Sequence, residues 1–218
     1  MSRSDTFGTA FFVYDKEVKI PKGIKYVIGI DEAGRGPLAG TVSVGAACFF
    51  ASDIRRFKKF SAGVKDSKKL SEEKREEWFA KMEREVTLGK FSFAVSFSSS
   101  VVIDNRGLSF AIRSALAKSI KKLSCPPEST LVLLDGSLYA PEEYIFQKTI
   151  IHGDDIEPII SLASIAAKVF RDRKMYALAK KYPEYCFEKH KGYGTKGHYQ
   201  AIERYGILEG VHRKSFLH

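Results

Sequence analysis

Two short apolar segments of this 218-residue chain end abruptly in acidic side chains. Residues 26–30 are followed by Asp31 and Glu32, and residues 131–134 are followed by Asp135. Short apolar runs rich in Val, Ile and Leu are typical of buried strands. If the two strands are parallel neighbours, the carboxylates meet at the carboxyl edge of one sheet, where open α/β sheets bind ligands. Asp135 alone could be a simple Asp-Gly turn, but the repetition of the pattern favours a site.

Six segments have the composition of β-strands, being rich in Val, Ile, Phe or Thr and bounded by turn residues or charges. They are residues 9–14, 25–30, 41–50, 87–98, 130–134 and 144–151. Helices are predicted over residues 71–86, 100–123, 158–182 and 195–205. Ser71 and Thr195 are the expected N-caps of the first and the last helix. The order of these elements predicts an α/β fold, a mixed sheet flanked by helices with an antiparallel edge.

Composition limits the classes of protein that this chain can be. Its 44% of hydrophobic residues can form a real core, which excludes general disorder. The best apolar run, residues 42–51, falls well short of the roughly 18 residues of a membrane span. A formal charge of +10 makes a polyanion a natural partner, although charge alone is weak evidence. We expect one domain with a helical C-terminal portion. Within it we expect an N-terminal extension of about residues 1–24 and a substrate-binding C-terminal portion of about residues 183–218.

The cysteines Cys48, Cys125 and Cys186 are odd in number and widely spaced. This pattern fits neither a disulfide framework nor a zinc site built from thiolates. A reducing, cytoplasmic setting is the simplest interpretation. The histidines show no zinc-type spacing either, and we expect His190 and His198, eight residues apart across glycines, at the surface or facing phosphate.

Two further acids lie near the long helix predicted over residues 158–182. Asp154 precedes that helix, and capping its N-terminus is the simplest role for it. Asp172 lies within the helix between two arginines, where ion pairing on a solvated face is expected. Clustered carboxylates without partner His or Cys favour hard divalent cations such as Mg²⁺ or Mn²⁺.

A glycine-rich turn follows the first acidic pair. Gly34, Arg35 and Gly36 begin a G-x-G-x-x-A sequence, which resembles a dinucleotide-binding turn. Such a turn must open a helix, whereas residues 41–46 have the pattern of another strand, and the adjacent acids would repel a pyrophosphate. We therefore interpret the turn as a place where the backbone approaches a ligand closely, with Arg35 available to a phosphate.

Taken together, these residues resemble the signature of ribonuclease HII, the bacterial type 2 ribonuclease H. The resemblance extends in the family's order from residue 26 to residue 216, and its specificity comes from the combination of blocks. The blocks are 31–40 (DEAGRGPLAG), 65–71 (KDSKKLS), 134–136 (LDG), 153–154 (GD), 163–169 (ASIAAKV), 171–173 (RDR), 189–196 (KHKGYGTK) and 212–216 (HRKSF). This resemblance implies a ribonuclease H-like fold.

The resemblance also implies that four acids bind two divalent cations, Mg²⁺ or Mn²⁺. These acids are Asp31, Glu32, Asp135 and Asp154. In the family the fourth acid follows a glycine and precedes a proline by four positions, as Asp154 does between Gly153 and Pro158. Asp155 and Asp172 do not fit that register.

For the substrate, the resemblance implies that Gly34, Arg35 and Gly36 read the ribose 2′-hydroxyl at an RNA–DNA junction. Tyr193 would stack on the sugar of the next deoxynucleotide, although a core tyrosine beside glycines would otherwise be as reasonable. Ser164 is expected to contact substrate as well. Basic residues that could track phosphates are Lys58, Lys59, Lys65, Lys68, Lys69, Lys168, Arg171, Arg173, Lys189, Lys191 and Lys196. Of these we select Lys68, Lys168 and Lys196.

The function implied is that of an endoribonuclease that hydrolyses the RNA strand of RNA–DNA hybrids and cuts 5′ of single ribonucleotides in duplex DNA. Its products would carry 3′-hydroxyl and 5′-phosphate ends, and its role would be ribonucleotide and primer removal in replication and repair. Another ribonuclease H-like nuclease, such as a resolvase or a general hybrid-cleaving enzyme, is the nearest alternative. A basic binding module without catalysis is less favoured, because acids in its cleft would repel phosphate. We expect a monomer with no membrane association.

Overall fold

The computed structural model describes residues 18–64 and 70–217, which form a five-stranded mixed sheet with helices on both faces. The strands are β1 (Tyr26–Ala33), β2 (Val42–Phe50), β3 (Phe91–Ser98), β4 (Thr130–Asp135) and β5 (Phe146–Ile150). Their order across the sheet is β3-β2-β1-β4-β5. The strand predicted at residues 9–14 and the predicted phosphate contact Lys68 lie outside the described residues.

The pairing of the strands confirms the predicted α/β sheet with an antiparallel edge. β2 runs antiparallel to both β1 and β3, while β1, β4 and β5 run parallel. Ile30 of β1 lies opposite Leu134 of β4, so Asp31 and Asp135 follow paired residues on neighbouring parallel strands. The prediction that both carboxylates reach one edge of the sheet is therefore correct.

β1 is longer than predicted, and the first two acids lie inside it. Pairing with β4 ends at Ile30, but pairing with β2 continues through Asp31, Glu32 and Ala33. The backbone of the acidic pair is thus held in extended form by one neighbour only. Successive side chains of a strand point to opposite faces, so Asp31 and Glu32 approach the site from the two sides of the sheet.

Eight α-helices surround the sheet in the described ranges. They are α1 (Ile54–Phe60), α2 (Glu72–Thr87), α3 (Ser100–Arg106), α4 (Leu108–Leu123), α5 (Gly153–Ile156), α6 (Pro158–Lys181), α7 (Phe187–His190) and α8 (Lys196–Tyr205). The predicted N-caps are confirmed, since the hydroxyls of Ser71 and Thr195 accept hydrogen bonds from the N–H groups of Lys74 and His198. No helix in these ranges combines the length and the apolar character that a membrane span needs.

The structure differs from the predicted elements in the start of one strand, in a break within one helix and in three short helices. The strand predicted from residue 87 begins at Phe91, because α2 continues to Thr87 and a turn at Gly89, with φ of +65°, follows it. The single helix predicted over 100–123 is broken at Gly107, whose φ is +79°. The short helices α1, α5 and α7 were not predicted, because a stretch of four to seven residues shows too little periodicity.

Helix α6 lies directly on two glycines of the central strands. A Cβ added at Gly29 would overlap the backbone of Ile159, and one added at Gly45 would overlap the carbonyl oxygen of Ala163. Such close approach of a helix backbone to a sheet requires residues without side chains. The register of α6 on the sheet is therefore fixed by Gly29 and Gly45.

Three buried clusters hold the layers together. One lies between the sheet and α1, α2 and α6, and a second lies between the opposite face and α3 and α4. The second contains Cys48 and Cys125, whose sulfurs are 3.6 Å apart, and both are free, as is Cys186. The third cluster joins α6 to the C-terminal helices and includes Tyr185 and Phe187.

Gly45→Ala should lower the free energy of unfolding by about 3 kcal/mol, because the added methyl group must displace α6 from the sheet. Gly197→Ala is the matched control, since a Cβ there meets nothing within 4 Å and the position is exposed. It should be neutral or stabilising by up to about 1 kcal/mol. Denaturant unfolding measures both, and equal stability of the two variants would contradict the contact between α6 and Gly45.

Candidate active site

A cleft of about 700 Å³ opens at the carboxyl ends of β1 and β4. It brings together the acidic residues, the glycine turn (residues 34–36), one face of α6 and the segment after α7. Its lining includes the predicted site residues Asp31, Glu32, Gly34, Arg35, Gly36, Asp135, Lys168 and Tyr193. The other predicted site residues within the described ranges, Asp154, Ser164 and Lys196, are not among the lining residues.

Asp31 is the buried centre of this cleft, with 3% of its surface exposed. Its Oδ1 accepts a hydrogen bond from the Glu32 N–H at 2.8 Å, and the side chain of Ser164 on α6 also hydrogen-bonds to it. Burial raises the pKa of Asp31 well above its usual value, and the negative charges of Glu32 and Asp135 raise it further. The Ser164 hydrogen bond and the positive charge of Lys168 act in the opposite direction.

Glu32 is held by an ion pair within the glycine turn. Its Oε1 lies 2.8 Å from Nη1 of Arg35, while its Oε2 is buried with no hydrogen-bond partner. A buried carboxylate oxygen without a partner is costly unless something else satisfies it. In this structure Arg35 therefore neutralises an active-site acid, whereas the sequence suggested a phosphate contact for it.

Asp135 and Asp154 are linked through the short helix α5. The Gly153 N–H donates to Asp135 Oδ1 at 2.7 Å, and the next residue, Asp154, is fully buried. Asp154 does not occupy the N-cap of α6, because that position belongs to Glu157. The extra turn α5 separates Asp154 from α6, so the capping role considered for it is wrong. The Ser161 hydroxyl donates to the backbone oxygen of Asp154 at 2.5 Å and fixes this turn.

Within residues 18–64 and 70–217, no three acidic, His or Cys side chains already converge on a point where a metal ion could bind. The donor chemistry nevertheless fits a hard divalent cation. Asp31, Glu32 and Asp135 offer only oxygen ligands, the charges of Glu32 and Asp135 raise the pKa of Asp31, and Glu32 Oε2 is buried without a hydrogen-bond partner. A cation would satisfy that oxygen and offset the repulsion. These three residues could hold it, with Asp154 beside them.

Two buried arginines shape the glycine turn, and sequence reasoning missed this role. Arg213 donates to the carbonyl oxygens of Gly34, Arg35 and Gly40 at 2.8, 2.9 and 3.0 Å. Arg171 donates in the same way to backbone oxygens, including that of Lys191 at 2.9 Å. Arg171 is 3% exposed and bound to these backbone oxygens, although it also lines the cleft, so the phosphate contact considered for it stays a prediction. Local sequence gave no sign of this burial, because the acceptors lie far away along the chain.

Tyr193 stands across the cleft from the glycine turn. It is 49% exposed, which excludes the alternative of a core tyrosine. A Cβ added at Gly36 would lie 3.9 Å from Cε1 of its ring. The loop carrying Tyr193 is bound to the turn by hydrogen bonds from the N–H groups of Leu38 and Ala39 to the carbonyl of Gly192, at 2.8 and 3.3 Å.

Asp172 also lines the cleft, and its predicted ion pairing is confirmed with a different geometry. Its partner is Arg75 of α2 at 3.0 Å, and the Asp172 side chain is only 14% exposed. The pair therefore joins two helices, and it does not lie on a solvated face. Burial raises the pKa of Asp172, while the charge of Arg75 lowers it.

Four other basic positions considered from the sequence remain, and one of them, His190, lines the cleft. Lys196 is exposed at the first turn of α8. His198 is fully buried and His190 is half-buried, so the expectation of surface or phosphate-facing histidines is wrong for His198. Arg173 forms an ion pair with Glu76 at 2.9 Å. These outcomes reflect packing between distant segments, which residue type and spacing do not reveal.

Comparison with known proteins gives a consistent result. The family described as ribonuclease HII matches residues 28–218. A ribonuclease HII of Bacillus anthracis is 47% identical over 196 residues, which cover 89% of this chain and 70% of that protein. A ribonuclease HII of Bacillus cereus (strain B4264) is 45% identical over 195 residues, with the same coverage of both chains.

Solved structures agree in fold. Ribonuclease H2 from Pyrococcus horikoshii OT3 superposes with a TM-score of 0.67 at 25% identity, covering 88% of this chain and 94% of the other. RNase HII from Archaeoglobus fulgidus, solved as a complex with PCNA, has a TM-score of 0.65 at 26% identity and coverage of 88% and 96%. Bst-RNase HIII in complex with Mn²⁺, 18% identical with a TM-score of 0.63, covers 88% and 67% and shares the fold. With its sequence match running from β1 to the last residue, this chain belongs to the ribonuclease HII family of metal-dependent endonucleases.

Proposed function

We propose that this protein cleaves the RNA strand of RNA–DNA hybrids and cuts on the 5′ side of single ribonucleotides embedded in duplex DNA. The products would carry 3′-hydroxyl and 5′-phosphate ends. Membership of the ribonuclease HII family supports ribonuclease H activity on RNA–DNA. The observation that carries the finer proposal is that the exposed Gly36 and the half-exposed ring of Tyr193 lie next to each other in the lining of a cleft that also contains the buried Asp31.

The acids of the cleft are proposed to hold two divalent cations, Mg²⁺ or Mn²⁺. Asp31, Glu32 and Asp135 supply the ligands that line the cleft, and Asp154 completes the set from beside Gly153. When bound, the cations supply an activated water and stabilise the departing 3′-oxygen. Ser164 and Lys168 of α6 favour the charged form of Asp31, by a hydrogen bond and by charge, and so oppose the burial and the neighbouring acids that raise its pKa.

The glycine turn and Tyr193 are proposed to recognise the sugar. A 2′-hydroxyl is the group that distinguishes RNA from DNA at one position, and reading it by backbone groups requires close approach. Gly36 permits that approach because its Cα is exposed and carries no side chain. Arg213 holds the carbonyls of Gly34 and Arg35, so the turn keeps one shape. The half-exposed ring of Tyr193 supplies a surface on which the next sugar can stack.

Phosphate contacts are proposed for Lys168, which lines the cleft, and for Lys196 at the start of α8. A phosphate contact is also proposed for Lys68, which lies outside the described residues. Lys189 and Lys191 also line the cleft, although Lys191 is engaged with Glu72 and Tyr176. A substrate track of this kind should bind less tightly as salt increases. We further propose that the protein acts as a cytoplasmic monomer in ribonucleotide and primer removal during replication and repair.

Asp31→Asn should reduce cleavage of a DNA duplex containing one ribonucleotide by at least ~100-fold, because a charged ligand at the centre of the site is lost. Chelation of divalent cations should stop the wild-type enzyme. Gel analysis of an end-labelled duplex measures both effects.

Asp154→Asn should also be impaired, while Asp155→Asn, which changes the exposed neighbouring acid, should keep wild-type activity. Loss of activity in Asp155→Asn together with normal activity in Asp154→Asn would show that the register of the fourth acid is wrong.

The Gly36→Ala variant should fold normally but recognise the sugar of the ribonucleotide poorly. The new Cβ would lie 3.9 Å from the Tyr193 ring, an ordinary contact, and it would occupy space meant for the sugar. We expect kcat/KM for the single-ribonucleotide duplex to fall about tenfold or more, equivalent to ~1.4 kcal/mol. The melting temperature should change by no more than about 2 °C. Unchanged kcat/KM would contradict the sugar-reading role and would favour a general hybrid nuclease.

The stability of Asp31→Asn should depend on pH in a defined direction. Because burial raises the folded-state pKa of Asp31, the stabilising effect of its proton is lost as pH rises through that pKa. Asn does not titrate, so the variant does not lose stability in this way as pH rises. In a chelator, the variant should therefore melt a few degrees above the wild type at pH 8, on the order of the 2–4 °C expected per kcal/mol, and the difference should shrink toward pH 5. A variant that melts below the wild type at pH 8 would refute this account.

A further inference from the structure

Three histidine rings pack together beneath the loop that carries Tyr193, and one of them, His190, also lines the cleft. The histidine cluster consists of His190, His198 and His212. The Nε2 atoms of His198 and His212 are 3.1 Å apart, and the rings of His190 and His198 stack with centroids 4.4 Å apart. His198 and His212 are 0% and 2% exposed. The function proposed above uses none of them.

The partners of the cluster determine where each ring carries its hydrogen. His198 Nδ1 lies 2.9 Å from the carbonyl oxygen of Tyr193, which can only accept, so Nδ1 is the donor. His212 Nδ1 accepts from the Leu208 N–H at 2.8 Å, so its hydrogen is on Nε2 and is donated to His198 Nε2. Both rings are therefore neutral, each with one donor and one acceptor.

His190 is fixed in the same manner. Its Nδ1 accepts from the Gly192 N–H at 3.2 Å, and its Nε2 donates to the carbonyl oxygen of Tyr185 at 2.9 Å. The two residues that the cluster binds on the loop are thus Gly192 and Tyr193. Gly192 is also the residue whose carbonyl accepts from Leu38 and Ala39 beyond the glycine turn.

We propose that the neutral histidine cluster is a positioning device that sets Tyr193 opposite the glycine turn, and that protonation of the cluster releases Tyr193. This inference rests on the proposed sugar-reading function of Tyr193. The cluster acts on one side of the cleft through the backbone of Gly192 and Tyr193. On the other side, Arg213, the residue after His212, holds the carbonyls of the glycine turn. One continuous network therefore fixes both sides of the sugar site.

Protonation of a histidine would break this network, because a ring nitrogen that now accepts a hydrogen bond would carry a hydrogen and face another N–H group. A proton on His198 Nε2 would face the hydrogen of His212, and one on His212 Nδ1 would face the Leu208 N–H. Burial lowers the pKa of His212 to about 4, with the charge of His198 adding to the effect, and burial also lowers the pKa of His198. His198 and His212 are therefore neutral near pH 7.

The surroundings of the cluster also disfavour positive charge. The ring of Tyr185, from the turn before α7, lies 5.3 Å from that of His212, and Phe187 of α7 packs against all three histidines. The buried cation Arg213 follows His212 in the chain. The charged side chains beside His190 in sequence are Glu188, Lys189 and Lys191, and α8 contributes His198 itself.

The test measures binding, so that it does not depend on catalysis. In an Asp31→Asn background, the Kd for a duplex with one ribonucleotide is compared with the Kd for the same duplex in DNA only, by fluorescence anisotropy at pH 7. His198→Leu should weaken binding of the ribonucleotide duplex about tenfold and leave the all-DNA Kd within about twofold. His198→Asn retains a donor toward the Tyr193 carbonyl and should restore most of the discrimination. Equal discrimination in the Leu variant and its parent would overturn the proposal.

A second measurement needs no variant at the cluster. Nitrogen-15 NMR of the histidine rings in the wild-type chain should show a hydrogen on Nδ1 of His198 and on Nε2 of His190 and His212 at pH 7. A different tautomer, or a charged ring, would overturn the proposal even if His198→Leu failed to fold. If the parent protein binds both duplexes equally, the sugar-reading function fails, while the tautomers still decide whether the cluster is built as described.

Discussion

The close contact of α6 with the central strands is the constraint on which the site depends. Gly29 and Gly45 leave no room for a side chain between the sheet and the helix, so the backbones touch. That contact sets the height and the rotation of α6 over β1. It brings Ser164 to Asp31 and Lys168 close enough to affect its charge. The geometry of the acidic centre therefore follows from the absence of two side chains.

Charge burial is the second organising feature. At the floor of the cleft, burial and the charges of Glu32 and Asp135 disfavour ionisation of Asp31, and a cation is the natural compensation. The buried positive charges of Arg171 and Arg213 are compensated differently, because each guanidinium donates hydrogen bonds to backbone carbonyl oxygens. The pKa of Arg213 is lowered to about 10 by burial and by the charge of Arg171, so the side chain stays charged near neutral pH.

The local sequence pattern was sufficient to predict the acidic residues of the site. It was insufficient to predict the buried residues that hold the backbone around them. The apolar runs before Asp31 and Asp135 predicted two buried strands, and Ser71 and Thr195 marked helix starts, because these signals lie within a few residues. That the two strands are parallel neighbours was a condition of the predicted site, and the structure meets it. The break at Gly107 was missed because an isolated glycine is tolerated in helices. The buried roles of Arg171, His198 and Arg213 depend on acceptors from other parts of the fold. Residue type favoured exposure for all three, and only tertiary packing reversed it.

The hydrogen bonds of Arg213 have a consequence for the order in which the molecule is made. The glycine turn is synthesised early, yet the side chain that holds its carbonyls is 179 residues away from Gly34 along the chain. A nascent chain can pair β1 with β2 soon after both have emerged, but its turn lacks this support until position 213 is available. Long-range contacts of this kind also form late in refolding, because closing so large a loop is slow. The proposed ability to discriminate a sugar would thus be among the last properties that the chain acquires.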